Sequence, residues 1–138
     1  MADGVRKVGY CYLKISNRAG QGAKVLEELA KAGVNLLACS GFPDKGGKSQ
    51  LDLVAEDLGR VRRIARWNGW RLSETKRAFL IQGEDAAGAA HRHHARLAED
   101  NINVTAAAAV CAGKGRYGMI LWVKPKDYAR AAKALRAR

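Results

Sequence analysis

Between residues 8 and 15 the chain alternates: Cys11, Leu13 and Ile15 fall on one side, and Tyr10, Tyr12 and Lys14 on the other. A period of two predicts a half-buried strand. Asn17, Arg18, Ala19 and Gly20 interrupt it and open a helix, along which Gly22, Leu26, Leu29, Ala30 and Gly33 recur at helical spacing. Gly33 ends that helix, as a residue tolerant of the left-handed conformation. Residues 34–42 read as a returning strand, and Pro43 to Gly47 as a turn. Residues 49–55 alternate again, with Leu51, Leu53 and Ala55 inward. A second helix over 58–67 stops at Asn68-Gly69, and 70–74 reads as a closing strand. The later half repeats the order: a strand with Phe79 and Ile81, a helix over 86–100, a strand over 102–111, a Gly113-Lys114-Gly115 turn, and a strand over 117–123. A last helix over 126–135 has Pro125 where a first turn tolerates it.

The two halves superpose at an offset of 68 residues without a gap. Ala19/Ala87, Gly20/Gly88, Leu29/Leu97, Ala30/Ala98, Asn35/Asn103, Ala38/Ala106, Gly47/Gly115, Leu53/Leu121 and Arg62/Arg130 are identical. Leu13/Ile81, Val34/Ile102, Leu36/Val104, Leu51/Met119 and Ala55/Val123 are conservative, and all fall where a core needs them. Strand-helix-strand-strand-helix-strand is the split βαβ, ferredoxin-like order. The expected fold is therefore α+β: two tandem ferredoxin-like (βαββαβ) units, residues 1–75 and 76–138. The second has no obvious final strand after residue 135: either its sheet has one strand fewer or the strand is supplied from elsewhere, and a shortened repeat is the favoured reading. In such a unit two helices cover one sheet face. The other face would carry Tyr10, Tyr12, Lys14, Gln50, Asp52 and Val54 in the first unit, and Leu80, Ile120 and Trp122 in the second. The second set is too apolar to be left wet, so a partner surface, and with it a homodimer or higher homo-oligomer, is expected.

With 138 residues, 48% hydrophobic and 28% charged, the chain can bury a core without disulfides or metal. No apolar run approaches a membrane span, and the N-terminus lacks the apolar core of a signal peptide. The three cysteines, Cys11, Cys39 and Cys111, form no Cys-x-x-Cys pair. A cytoplasmic protein with reduced thiols is expected. The net charge of +12 invites a nucleic-acid reading. The surplus is spread, however: 13 basic against 8 acidic residues in 1–75, and 12 against 5 in 76–138.

Two short motifs, each occurring twice, carry a resemblance. Asn17-Arg18-Ala19-Gly20 precedes a helix, and Gly33-Val34-Asn35-Leu36 follows it; Asp85-Ala86-Ala87-Gly88 and Asn101-Ile102-Asn103-Val104 hold the same places in the second unit. In this the chain resembles a tandem pair of ACT domains over roughly residues 8–75 and 77–138. ACT domains are small ferredoxin-like regulatory modules that bind amino acids and related effectors. The family's usual pattern has proline where Ala19 stands. The resemblance implies a non-enzymatic regulatory protein that binds a small amino-acid-like effector, with an unknown enzyme or regulator as partner and no cofactor. It implies a site at Asn17, Arg18, Ala19, Gly20, Gln21 and Gly22, facing Asn35 and Leu36 of a neighbouring unit. Asp85, Gly88, Asn103 and Val104 would form a weaker, vestigial equivalent. The chemistry fits. Glycine at a helix start admits an anion to free backbone N–H groups, and asparagine offers donor and acceptor to a zwitterion.

Other constellations carry less. His91, His93 and His94 are the only histidines, but no carboxylate or cysteine completes a metal set beside them in sequence, and no metal is expected. In the repeat His94 takes the place of Leu26, read as inward. No nucleophile-base pattern and no phosphate loop occurs, so no catalytic residue is assigned. The alternative is a basic RNA-binding module on the same fold, with Tyr10 and Tyr12 stacking bases; Asp52 on the adjacent strand would repel phosphate.

Overall fold

The computed structural model describes residues 3–138. These form an α+β structure of six strands and four α-helices: β1 (Gly4–Ser16), α1 (Gln21–Lys31), β2 (Leu36–Pro43), β3 (Lys48–Ala55), α2 (Leu58–Asn68), β4 (Lys76–Glu84), α3 (Ala89–Glu99), β5 (Val104–Gly113), β6 (Arg116–Val123) and α4 (Tyr128–Ala134). A single 3-10 turn, Pro125–Asp127, leads into α4. The chain divides into two compact units. One is Gly9–Lys76; the other joins the N-terminal residues through Val8 to Arg77–Arg138.

In the unit Gly9–Lys76 the strand order is β2-β3-β1, antiparallel throughout. Cys11 faces Leu53 and Leu13 faces Leu51 across β1 and β3. Alternation thus puts Cys11, Leu13, Leu51, Leu53 and Ala55 on one face, and that face forms the core with Val25 and Leu29 of α1 and Val61 of α2. Asp57 caps α2 by accepting the Arg60 amide at 3.1 Å, and Gly69 ends it at φ 69°. Residues 70–74 do not form the expected closing strand. They run as irregular chain beside β1, with the Ser73 amide donating to Tyr12 O at 2.8 Å and the Tyr12 amide donating to Ser73 Oγ at 2.9 Å. A side chain has taken one of the bonds a strand ladder would need.

In the other unit the order is β1-β4-β6-β5, with only the first residues of β1 taking part. Val5, Phe79, Ile81, Leu97, Met119, Leu121, Tyr128 and Leu135 belong to its core. Phe79 and Tyr128 stack at 4.5 Å, and the Tyr128 hydroxyl donates to Ala78 O at 2.9 Å. The shortened-repeat reading is corrected here. No strand follows α4 among the described residues, but the place beside β4 is filled by the start of β1. The Arg138 amide donates to Val5 O, and the Lys7 amide to Arg138 O, both at 2.9 Å. Burial of Val5 to 5% exposure supplies the driving force.

Two expectations about side-chain direction are also corrected. In α1 the buried residues are Val25 and Leu29, while Leu26 is 37% exposed. In α3 they are Ala89, His93 and Leu97, so His93, not His94, points inward. Each inward pair is spaced i, i+4, the two side chains lying one above the other on a helix face. The apolar face expected to be open is also covered in the single chain. Tyr10, Val54, Leu80, Ile120 and Trp122 are all buried, and so is Asp52. The expected exposed patch at Leu80, Ile120 and Trp122 is therefore absent.

Candidate functional site

The turn into α1 is built from backbone contacts. The Asn17 amide donates to Gly47 O at 2.8 Å, the Gln21 amide to Arg18 O at 3.2 Å, and the Lys24 amide to Gly20 O at 3.1 Å. Gly20 sits at φ 88°, a conformation that costs other residues steric strain, and it opens the helix without a side-chain cap. A Cβ placed on Gly20 would meet nothing within 4 Å. Gln21 and Lys24 donate locally, so Gly22 and Ala23 are the first-turn amides that the helix itself does not use. Asn17 Oδ1 accepts from Ser49 Oγ at 2.9 Å, which orients the amide and leaves its second lone pair free. The Arg18 guanidinium turns back to Ser16 Oγ at 3.0 Å. Beside this turn lies a recess of about 660 Å³, with Ser16, Gln21, Lys24, Trp70 and Arg71 in its wall.

The same local geometry recurs 68 residues on. The Asp85 amide donates to Gly115 O at 2.8 Å, the Ala89 amide to Ala86 O at 3.1 Å, and the Arg92 amide to Gly88 O at 3.3 Å, with Gly88 at φ 81°. Here the turn lines a smaller recess of about 280 Å³, with Asp85, Gly88, His91, Val110 and Cys111 in its wall. Cys111 Sγ donates to Asp85 Oδ2 at 3.0 Å, and this contact pushes the thiol above its ordinary ionisation range.

Not all the expected site residues come together. Asn35 and Leu36 follow the far end of α1, whose eleven residues span about 16 Å. Asn35 lines a different recess, with Gly33, Leu37, Glu56, Asp57 and Arg60. Asn103 and Val104 likewise follow α3, at the opposite end from Gly88. Within one chain, each glycine turn and the asparagine of its own unit are at opposite ends of a helix.

Sequence reasoning missed the most polar buried cluster. Asp3 Oδ2 accepts from the Tyr117 hydroxyl at 2.5 Å, from His93 Nε2 at 2.7 Å and from Arg92 at 3.1 Å. The side chains of Asp3 and His93 are each 3% exposed. Burial works against the Asp3 charge, but the hydrogen bonds from Tyr117 and His93, with Arg92 beside them, outweigh it and hold the carboxyl below its ordinary 3.8. Burial and Asp3 together push Tyr117 up to about 12. No periodic signal marks Asp3, which precedes the first strand. Of the other histidines, His94 Nδ1 lies 3.0 Å from Ala90 O and His91 is exposed. Among the described residues no group of three or more His, Cys, Asp or Glu is placed to hold a metal ion. None of the described helices is long and apolar enough to cross a membrane. Of the two tyrosines of the base-stacking alternative, Tyr10 is 8% exposed and Tyr12 half-buried, while Asp52 is buried and accepts from Gln50 at 2.9 Å; the alternative is not favoured.

The fold expected from the ACT resemblance is the one found in solved regulatory subunits and domains of aspartate kinase. Solved structures sharing it include protein BT0572 from Bacteroides thetaiotaomicron, with a TM-score of 0.79 and 16% identity over 97% of this chain and 88% of that one. The ligand-free regulatory subunit of aspartate kinase from Thermus thermophilus has a TM-score of 0.68 and 13% identity over 99% and 95%. The corresponding subunit from Thermus flavus has a TM-score of 0.65 and 15% identity over 98% and 94%. No protein-family model matches the chain, and no curated protein matches it.

Proposed function

We propose that this chain is a non-enzymatic regulatory protein of two ferredoxin-like, ACT-like units that binds a small amino-acid-like effector at the start of α1. The observation that carries the reading is the turn at Gly20: a left-handed glycine with open space over it, ahead of first-turn amides that the helix does not use. A carboxylate there meets free N–H donors and the positive end of the helix dipole. The effector's amine is held by the side-chain carbonyl of Asn17, or by Asn35 of a neighbouring copy, and Leu36 contributes its backbone. Asn35 lies at the far end of α1 from the Gly20 turn, which supports a site completed by a second copy and hence a homo-oligomer. The exposed outer strand β5, with Thr105 to Gly113 all exposed and no charge along it, supports assembly as well. The second turn is the weaker site, because alanines line it and its one carboxylate, Asp85, already accepts from Cys111. The regulatory character of the aspartate kinase subunits with this fold supports the same reading.

Calorimetry against a panel of the twenty amino acids tests it. Binding by at least one is expected, and Gly20→Val, whose branched side chain fills the approach to the amides, abolishes it. Asn35→Ala weakens it by about 1–3 kcal/mol if the effector's amine is left unpaired. Gly88→Val leaves it unchanged. If Gly20→Val and Asn35→Ala both stay folded and bind as tightly as the parent, the placement is wrong. If Gly88→Val alone abolishes binding, the second turn is the site.

A further inference from the structure

The outward face of α2 carries a feature that the effector reading does not use. Trp67 is 92% exposed in the last turn of this helix. At 100° per residue, Arg63 stands 40° from Trp67 around the helix axis and Arg66 100°, so the three form one stripe with Gly59. The opposite side holds the buried Val61 and Ala65. Two other arginines of the helix are tied to the fold: Arg60 to Ala32 O, and Arg62 to Ser73 O at 3.1 Å and Thr75 Oγ1 at 2.7 Å. Arg63 and Arg66, both exposed, have no such partner among the described residues. No acidic residue lies within Leu58–Asn68.

We propose that this stripe is a docking surface for an acidic segment of another protein, with Trp67 as the apolar anchor and Arg63 and Arg66 receiving carboxylates. Tryptophan and arginine are the residues that most often dominate binding at protein interfaces, and guanidinium groups take carboxylates in paired, directional hydrogen bonds. Charge selects the occupant. A second copy, with 13 acidic residues against 25 basic ones, offers this arginine face far fewer carboxylates than an acidic segment does. A lipid surface requires a broad apolar face on the helix, and this stripe offers one apolar side chain. Single-stranded nucleic acid is held by successive aromatic platforms, and α2 presents one. An acidic peptide with an apolar side chain among its carboxylates matches both the single anchor and the surrounding charge.

The test uses the full chain and a synthetic peptide of Glu-Leu-Glu-Glu repeats, with its Gln-for-Glu analogue, an oligouridylate and phosphatidylserine vesicles as competitors. The acidic peptide is expected to bind saturably and shift tryptophan emission to the blue. That shift is absent in Trp67→Phe. Arg63→Glu with Arg66→Glu weakens binding at least tenfold, whereas the charge-matched pair Lys124→Glu with Lys126→Glu leaves it within twofold. Added salt weakens it, and the Gln analogue does not bind. Circular dichroism checks that each variant is folded. The proposal is overturned if the acidic peptide does not bind, if the α2 pair and the control pair lose affinity equally, or if oligouridylate or vesicles bind more tightly through the same residues.

Discussion

Gly83 lies in β4 with an ordinary strand conformation, so alanine there meets no backbone objection. The difficulty is a neighbour. A Cβ on Gly83 would stand 1.9 Å from Asp3 Oδ1 and 2.4 Å from Asp3 Cγ. The carboxylate can move aside only by leaving Tyr117, His93 and Arg92, which hold it at 2.5, 2.7 and 3.1 Å. Arg92 is half exposed and recovers water, but His93 is 3% exposed and does not. A buried polar group left without its partner costs about 1–3 kcal/mol. Tyr117 retains a long contact to Ala89 O at 3.5 Å, which softens its share. The two stranded donors together set the cost of Gly83→Ala at roughly 2–4 kcal/mol. Asp3→Ala strands the same donors and should cost a similar amount. It also removes the clash, so Gly83→Ala in that background should be neutral or stabilise by up to about 1 kcal/mol, as Gly-to-Ala changes do where the backbone accepts alanine. Urea unfolding of the four proteins, compared at constant slope, measures the coupling. If the two single costs simply add in the double variant, the carboxylate is not what Gly83 makes room for, and the reasoning fails.

Asp3 also predicts an acid limb. Its folded-state pKa is depressed, so its contribution is present above about pH 3.8 and lost as pH falls through the lower folded value; stability measured from pH 5 downward should fall less steeply in Asp3→Asn. In alkaline absorbance titration one tyrosine should ionise near 12, and Asp3→Asn should bring it down. Asp52 has the opposite sign. Burial pushes its carboxyl up despite Gln50, Lys14 and Lys76, so its charge disfavours the fold above that value; Asp52→Asn should raise the urea midpoint at pH 7, with the gain vanishing below about pH 3.8. Leu97, fully buried in α3, should cost about 2–5 kcal/mol as alanine by the same denaturation assay. Asp57→Ala should cost about 1 kcal/mol, because the Arg60 amide loses its cap.

Local order was legible in the sequence because its causes are local. The alternation of Cys11, Leu13 and Ile15 is the pleat itself, and Gly20 and Gly88 mark helix starts because only glycine adopts φ near 85° without strain. The 68-residue offset read in the sequence is matched by the hydrogen bonds the two turns share, since identical short-range geometry needs similar residues in the same order. Side-chain direction was less secure. Leu26 and His94 fit a helical stripe as well as Val25 and His93 do, and only contact with the sheet chose between them. What completes the second unit was decided by tertiary structure. The alternation read from residue 8 does not run back through Arg6 and Lys7, so nothing in the period extends the first strand to Gly4. Those residues form strand because the edge of β4 and the core around Phe79 and Ile81 need a cover, and Val5 provides it. The same holds for Asp3. An aspartate ahead of the first strand carries no periodic signal, and its role exists only once Gly83, His93 and Tyr117 have been brought round it. A residue's period reports which face it prefers; which distant segment meets that face depends on the apolar edges and polar donors the rest of the chain leaves to be satisfied.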